Sequence, residues 1–352
     1  MNAAQQSEDF VESDVAQPQG TRSAASMGPS VALAGDTTAL AAVGIPMTSL
    51  NRRRFLALAA AAVGSGLAPR WVGAQSPVQI HRPIPTSGER LPVVGLGSWI
   101  TFNVGDDRAK RAQRREVLQA FFEQGGRLID SSPMYGSAQE VIGALLPQVR
   151  GREALFAATK VWIVGQEVGV RQMQESAGLW GVDRFDLMQI HNLLDWETHV
   201  ETLKAWRAEG RVRYIGITTS HGRRHEEMER AMQREPFDFV QFTYNIVDRE
   251  AEQRLLPLAR ERGMAVIVNR PFRRGALFDR VRGRPLPPWA AGLGCRNWAQ
   301  FFLKFIVSHP AVTCAIPATS RVDHLLENMG AIRGHLPEEA DRRRMSEWFA
   351  AL

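Results

Sequence analysis

Short apolar runs alternate with longer stretches of helical periodicity from residue 93 onward. The runs that predict β-strands are Val93–Gly97, Arg127–Asp130, Leu155–Lys160, Phe185–His191, Tyr214–Thr218, Phe239–Gln241, Ala265–Asn269 and Thr313–Ile316. The helical patterns lie near 110–124, 138–146, 167–179, 198–209, 225–234, 251–262, 298–308 and 322–333, with one more near 337–350. Strands that alternate with helices predict a parallel sheet. Eight such units in about 250 residues fit a closed (β/α)₈ barrel.

An open, doubly wound sheet is the alternative fold. Its first strand should run into a GxGxxG turn that opens a helix. Here the first strand continues as Gly95-Leu96-Gly97-Ser98-Trp99, which lacks both the third glycine and a following helix. We therefore predict one α/β domain, a (β/α)₈ TIM barrel over residues 75–352.

The first 74 residues do not share this alternation. Residues 1–50 are rich in Ala, Ser, Gln, Gly and Thr and contain one aromatic residue, Phe10. Such a composition buries too little apolar surface to offset the entropy of ordering, which predicts a disordered extension. Residues 51–74 join an arginine pair, Arg52-Arg53, to an uncharged run and to small residues before Gln75. This order is typical of a twin-arginine (Tat) signal peptide.

Export through the Tat translocon to a bacterial periplasm follows from that interpretation. The uncharged run, Leu56 to Ala68, has 13 residues. A membrane-spanning helix needs about 20, and an amphipathic surface helix needs a polar face that the run lacks, so no stable anchor is predicted. Translation could start at Met1 or at Met47, and the sequence leaves this open.

Composition excludes several other classes of function. The net charge is +6 and the pI about 9.9, yet the arginines are spread over many helices between acidic residues, which argues against nucleic-acid binding. Cys295 and Cys314 are the only cysteines. No Cys/His spacing typical of a metal site or a disulfide framework is present, so we predict no metal site.

Four residues at strand ends carry the candidate chemistry: Asp130, Tyr135, Lys160 and His191. The carboxyl ends of barrel strands face one rim, where the active sites of this fold lie. A tyrosine that acts as an acid near neutral pH needs a cation beside it, because its ordinary pKa is near 10. Lys160 would lower the pKa of Tyr135, and Asp130 would keep Lys160 charged. His191 would hydrogen-bond a carbonyl oxygen. A structural role for each residue alone stays open.

Four segments in order resemble the aldo-keto reductase superfamily over roughly residues 80–335. They are Asp130–Gly143, Thr159-Lys160, Gln189–Asn192 and Ala315–Asn328. The resemblance implies that Asp130, Tyr135, Lys160 and His191 are the catalytic residues. It further implies hydride transfer from NADPH, or from NADH, to a small aldehyde or ketone. Two other hypotheses are a catalytically quiet nicotinamide-binding redox sensor and an aldolase that forms a Schiff base on Lys160.

The same resemblance implies a set of cofactor-binding residues. They are Gly97, Ser98, Thr218, Thr219, Gln241, Arg270, Pro271, Phe272, Gly275, Thr319, Ser320, Arg321 and Asn328. The sequence departs from the family pattern at Asn269, where an aromatic residue usually stacks on the nicotinamide. Arg270 could pair with the pyrophosphate, stack on the ring, or form a salt bridge at the barrel mouth.

Two further positions concern cofactor preference and the substrate pocket. Arg321 could clamp the 2′-phosphate bidentately in place of the Lys and Arg that relatives carry at Ala318 and His324. Trp99 and Trp162 follow the first and third predicted strands and are candidate pocket walls. Ordinary barrel packing is the alternative role for both tryptophans.

Overall fold

A computed structural model of the chain describes residues 78–352. The predicted extension at 1–50 and the predicted signal peptide at 51–74 lie outside these residues. Within 78–352, no helix combines the length and the apolar character needed to cross a membrane.

The described chain begins with a β-hairpin that the sequence analysis did not predict. Strand β1 (His81–Pro83) pairs antiparallel with β2 (Arg90–Pro92). Ile84 and Leu91 of this hairpin are fully buried in the apolar cluster that fills the barrel interior. The hairpin therefore closes the amino-terminal end of the barrel, and we refer to that end as the bottom.

Eight parallel strands form the barrel, in sequence order around the sheet. They are β3 (Leu96–Gly97), β4 (Leu128–Asp130), β5 (Phe156–Val161), β6 (Phe185–Ile190), β7 (Val212–Thr218), β8 (Phe239–Thr243), β9 (Ala265–Asn269) and β10 (Val312–Ala315). The sheet closes because parallel bridges join Val94 to Ala315 and Gly97 to Ala318. These contacts confirm the predicted (β/α)₈ barrel.

Closure of the barrel also explains why the first strand contains Gly95 and Gly97. A Cβ on Gly95 would lie 2.7 Å from the carbonyl oxygen of Leu128, and one on Gly97 would lie 2.8 Å from that of Ile316. No side chain fits at either distance. These glycines let the first strand approach its neighbours on both sides.

Ten helices are present in the described chain. They are α1 (Arg108–Glu123), α2 (Ala138–Leu145), α3 (Gln166–Trp180), α4 (Trp196–Ala208), α5 (His225–Arg234), α6 (Leu255–Glu261), α7 (Ala276–Arg280), α8 (Trp298–Val307), α9 (Val322–Met329) and α10 (Glu339–Ala350). The short α7 was not predicted. The pattern over 251–262 splits into a 3₁₀ turn at Glu250–Glu252 and α6, while that over 322–333 ends as a helix at Met329.

Alternation along each strand separates two apolar cores. One residue set faces the helices, and the other fills the barrel with side chains that include Leu128, Phe156, Leu187, Tyr214, Phe239, Ile267 and Cys314. Because side chains two residues apart share a face, Leu128 places Asp130 on the inner face, Leu187 does the same for Gln189 and Phe239 does so for Gln241. The alternation along the strands therefore directs these three polar side chains into the barrel at the carboxyl ends of the strands, and we refer to that end as the mouth.

Candidate active site

A buried ion pair lies at the centre of the barrel mouth. Lys160 Nζ in β5 donates to Asp130 Oδ2 at 2.5 Å and to the carbonyl oxygen of Ser131 at 2.8 Å. The Lys160 side chain is 0% exposed and that of Asp130 is 2% exposed. Burial lowers the pKa of Lys160, and the charge of Asp130 and its hydrogen bond oppose that shift.

Two glutamines donate hydrogen bonds to the second carboxylate oxygen of Asp130. Gln189 Nε2 donates to Asp130 Oδ1 at 3.0 Å, and Gln241 Nε2 approaches the same atom at 3.3 Å. All three side chains are buried. Gln241 therefore contacts the ion pair in this structure, although the sequence analysis assigned it to the cofactor alone. Gln189 was not predicted, but its place two residues before His191 put it on the inner face.

Tyr135 lies over this ion pair in the loop after β4. Lys160 Nζ is 5.2 Å from the centroid of the phenol ring. The ring meets that of His191 edge-on, with 5.7 Å between centroids. Within residues 78–352 the Tyr135 hydroxyl has no hydrogen-bond partner, so it is available to a bound molecule.

The pKa of Tyr135 departs from the expected direction. Burial, together with the charge of Asp130, raises this pKa well above its usual value, whereas the sequence analysis expected Lys160 to lower it. The ammonium is already neutralised by Asp130, so desolvation of the phenolate decides the direction. In this structure Tyr135 is a neutral phenol that holds its proton at physiological pH.

His191 follows β6 directly and is also neutral. Burial and then the charge of Lys160 lower its pKa well below the usual value. Its Nδ1 lies 2.8 Å from Ser132 Oγ, and its ring centroid is 6.4 Å from that of Trp162. The structure thus brings together all four residues proposed as catalytic, with Trp162 beside them.

Trp99 has a different environment. The Arg274 guanidinium lies 4.1 Å from the Trp99 ring centroid, so a cation–π contact joins the loops after β3 and β9. Trp99 therefore contributes to the rim of the mouth, while Trp162 is the tryptophan next to His191.

The threonines at the carboxyl end of β7 form hydrogen bonds within the protein. Thr218 Oγ1 accepts from the backbone N–H of Asn192 at 3.0 Å, and Thr219 Oγ1 donates to the carbonyl oxygen of Arg223 at 2.6 Å. Asn269 Nδ2 donates to the Thr219 carbonyl oxygen at 2.9 Å. Asn269, which replaces the family's aromatic residue, thereby ties two loops of the mouth together.

The loop after β9 divides into a polar and an apolar part. Arg270 Nη1 contacts His221 Nε2, so an imidazole is among its partners. Phe272 packs on Phe278, with 4.8 Å between ring centroids. Pro271 is buried, and Gly275 has a φ of 100°. The apolar part of this loop anchors it to the barrel and leaves the arginines at the mouth.

The loop after β10 leads into α9, at the end of the mouth assigned to adenosine. Buried Thr319 accepts from the Arg321 backbone N–H at 3.1 Å, and the Ser320 carbonyl oxygen accepts from Arg114 Nη1 at 3.2 Å. The Arg321 side chain is 61% exposed and pairs with Asp323, a partner that the sequence analysis did not foresee.

Three remaining predicted residues are buried. Ser98 Oγ donates to the Asp130 carbonyl oxygen at 2.9 Å, the Gly97 N–H donates to the Pro317 carbonyl oxygen at 3.0 Å, and Asn328 lies 4% exposed in α9. Ser98 and Gly97 therefore support the mouth through backbone contacts.

Residues 78–352 contain no group of His, Cys, Asp or Glu that could hold a metal ion.

Comparisons with known proteins show which family the chain belongs to. The model of the aldo/keto reductase family matches residues 93–343. Methylglyoxal reductase YeaE of Escherichia coli is 26% identical over 262 residues, which cover 73% of this chain and 91% of that protein. The NADH-specific methylglyoxal reductase of the same species is 27% identical over 236 residues, 56% of this chain and 69% of the relative.

A solved structure shows the same fold. The aldo-keto reductase from Klebsiella pneumoniae in complex with NADPH superposes with a TM-score of 0.63 at 23% identity, covering 77% of this chain and 95% of that one. Together with the family match over most of the barrel, these findings establish that the chain belongs to the aldo/keto reductase family, whose oxidoreductases reduce carbonyl compounds.

Proposed function

We propose that this protein reduces small aldehydes or ketones to alcohols with NADPH and that Tyr135 is the general acid. One observation carries the proposal. The Tyr135 hydroxyl has no partner within the described chain, although it lies beside neutral His191 and above the Lys160–Asp130 pair. A phenol so placed is suited to donate a proton to a bound oxygen atom.

The residues around the mouth fit a nicotinamide dinucleotide. Thr218, Thr243 and Asn269 end strands β7, β8 and β9, and the hydrogen-bonding capacity that their side chains retain beyond their contacts within the protein could serve a carboxamide. Arg270 and Arg274 lie on the next loop, and Arg321 lies at the start of α9, an eight-residue helix whose free N–H groups favour a phosphate. When bound, the cofactor supplies the hydride that the carbonyl carbon receives.

The chain's own residues then handle the oxygen and the proton. His191 donates a hydrogen bond to the carbonyl oxygen and orients it. As negative charge develops on that oxygen, the proton of Tyr135 Oη moves to it. The Lys160 ammonium stabilises the phenolate that remains, and Asp130 keeps Lys160 charged and in place. Thus a phenol with a raised pKa can still act, because the proton moves only when a strong base forms.

Tyr135→Phe tests this assignment. The variant should lose about 10²–10⁴ in the rate of NADPH-dependent reduction of 4-nitrobenzaldehyde, the scale of general acid catalysis. NADPH affinity, measured by cofactor fluorescence, should stay within a few-fold, because the hydroxyl forms no hydrogen bond within the described chain and its loss leaves the other residues of the mouth in place. A variant that retains more than half of the wild-type activity would contradict the assignment.

The preference for NADPH is proposed on the position of Arg321. Its ion pair with Asp323 is exposed on both sides, and water and salt weaken such pairs, so a 2′-phosphate could compete for the guanidinium. Arg321→Ala should weaken NADPH binding by about 1.5–3 kcal/mol, the range of a hydrogen bond to a charged group. NADH binding, measured in parallel by fluorescence, should hardly change. If the variant loses affinity for NADPH and NADH equally, Arg321 has a structural role and does not bind the 2′-phosphate.

The aldolase hypothesis is disfavoured by the environment of Lys160. A Schiff-base lysine must be neutral and open to its substrate. Lys160 Nζ instead contacts a carboxylate and a carbonyl oxygen, and the side chain is 0% exposed. Borohydride treatment with candidate ketones should therefore leave the mass of the protein unchanged.

We further propose Tat-dependent export, which is supported by the sequence of residues 51–74. Tat substrates fold before transport, which suits an enzyme that acquires its cofactor in the cytoplasm. The exported form should begin near Gln75 and carry bound cofactor. Replacing Arg52 and Arg53 by Lys should leave an uncut, active protein in the cytoplasm, detected by fractionation and N-terminal sequencing. Normal secretion of that variant would overturn the proposal.

A further inference from the structure

The neutral imidazole of His191 has to present a hydrogen rather than a lone pair to a carbonyl oxygen. A neutral ring carries one proton, and the hydrogen bond of the other nitrogen decides where it lies. In this structure Nδ1 is the engaged nitrogen, 2.8 Å from Ser132 Oγ. Ser132 is 0% exposed and His191 is 6% exposed, so water competes little for this contact.

The hydrogen bonds of the Ser132 hydroxyl settle the direction of this contact. Its oxygen accepts from the backbone N–H of Met134 at 3.2 Å. Among the described residues, His191 Nδ1 is the one acceptor within reach of its proton. If Nδ1 carried the ring proton, the hydroxyl proton would be buried without an acceptor, which is unfavourable. The Met134 N–H, the Ser132 hydroxyl and His191 Nδ1 all have hydrogen-bond partners only when the hydroxyl donates to Nδ1.

We propose that Ser132 is a positioning residue that holds His191 as the Nε2–H tautomer and thereby supplies the donor for the carbonyl oxygen. Tyr135 belongs to the same turn, because its backbone N–H donates to the Ser132 carbonyl oxygen at 3.0 Å. One turn therefore places both the acid and the group that sets the tautomer. The inference rests on the proposed carbonyl reduction.

Nitrogen-15 NMR of histidine-labelled protein tests the tautomer without turnover. The sample is the full chain with NADPH, and the His191 signals are assigned with His191→Gln. In the wild type, Nδ1 should show the shift of an unprotonated nitrogen and Nε2 that of a protonated one. Ser132→Ala should move both signals towards a mixture of tautomers, while Ser132→Thr, which keeps a hydroxyl, should restore them.

The neighbouring serine supplies a matched control. Ser131 is equally buried, but its hydroxyl has no hydrogen-bond partner in the described chain. Ser131→Ala keeps the backbone carbonyl that holds Lys160 and should leave the His191 signals unchanged. A shift of those signals as large as that in Ser132→Ala would mean that any change of packing in this turn moves them, and it would overturn the inference.

Kinetics connect the tautomer to the reaction. Ser132→Ala should lower kcat/KM for 4-nitrobenzaldehyde about tenfold, less than the ~10²–10³ that loss of an oxyanion donor costs, because part of the population still carries the proton on Nε2. NADPH affinity should not change. An active wild type with an unchanged His191 tautomer in Ser132→Ala overturns the role of Ser132. A wild type without carbonyl turnover overturns the proposed function instead, while NMR still reports the tautomer.

Discussion

Both ends of the barrel bring a carboxylate, a cation and a tyrosine together, but only the tyrosine hydroxyl at the bottom is hydrogen-bonded within the described chain. At the bottom, Glu89 binds Arg127 at 2.9 Å and Arg213, and the Tyr214 hydroxyl lies 2.7 Å from Ser87 Oγ and 3.0 Å from Glu89. At the mouth, a carboxylate, a lysine and a tyrosine also meet, but the Tyr135 hydroxyl has no partner in the described chain.

This difference separates a structural cluster from a catalytic one. The charged side chains at the bottom are 21–32% exposed, so water shares their solvation and their hydrogen bonds are satisfied within the fold. The Asp130–Lys160 pair at the mouth is desolvated, and such a pair adds little net stability. A free polar group next to a costly buried pair is typical of a functional site.

The largest effect should come from breaking the buried pair. Lys160→Met leaves Asp130 with glutamine donors alone, and removing one partner of a buried pair costs about 3–5 kcal/mol in the free energy of unfolding. Activity should also fall to background, because nothing would stabilise the Tyr135 phenolate. Denaturant unfolding and aldehyde turnover measure the two losses.

Arg213→Met is the matched change at the bottom. Arg213 is 32% exposed, and each of its carboxylate partners keeps another donor, Arg127 for Glu89 and the Ala157 backbone N–H for Asp186, so the loss should be about 1 kcal/mol with activity retained. If both substitutions cost the same stability, the contrast between the two ends is wrong.

A smaller effect is expected from Glu89→Gln, and it should depend on pH. Burial by itself raises the pKa of Glu89, but hydrogen bonds from Arg127 and Tyr214 and the charge of Arg213 outweigh it, so the net pKa is lowered. The stabilisation from the carboxylate is complete above the unfolded pKa of about 4.3 and is lost as the pH falls through the folded value.

The variant should thus be less stable than the wild type by about 1.5–3 kcal/mol at pH 7, the scale of hydrogen bonds to a charged group. That difference should shrink below about pH 4. Denaturant unfolding at a series of pH values checks it. A difference that stays constant between pH 7 and pH 3 would show that the charge of Glu89 is not responsible.

The smallest effect distinguishes the two tyrosines. Tyr214→Phe removes a hydroxyl with two partners and should cost about 1 kcal/mol in the free energy of unfolding while activity is retained. Tyr135→Phe should cost almost no stability, since its hydroxyl makes no hydrogen bond within 78–352. Thermal unfolding of both variants tests this, and equal losses of stability would remove the distinction between the ends.

Much of the fold could be predicted from the sequence, because the apolar side chains of strands and helices repeat at fixed intervals that are visible in short stretches of sequence. The strand at Ala265–Asn269 was predicted to the residue, and the helix at His225–Arg234 lies where a helix near 225–234 was predicted. The hairpin β1–β2 was missed because each of its short strands contains an arginine and a proline, so neither forms an apolar run. Its place is set by contacts with strands far along the chain.

The candidate site divides in the same way. The sequence placed Asp130, Lys160 and His191 at strand ends and Tyr135 in the loop just after one, and the parallel barrel brings all four to one rim. It did not indicate that Asp323 pairs with Arg321, or that Phe272 packs into the apolar core. Those pairings depend on loop conformations that no short pattern specifies.

The sequence by itself determined the period of the elements, the inner face of each strand and the types of chemical group at the strand ends. Only the tertiary structure decided where the protons reside. Tyr135 and His191 are both neutral, and Ser132 contacts Nδ1 of His191, because burial and the distance to Asp130 and Lys160 set these states. Desolvation and Coulomb energies depend on distances through space, and a linear sequence does not contain those distances.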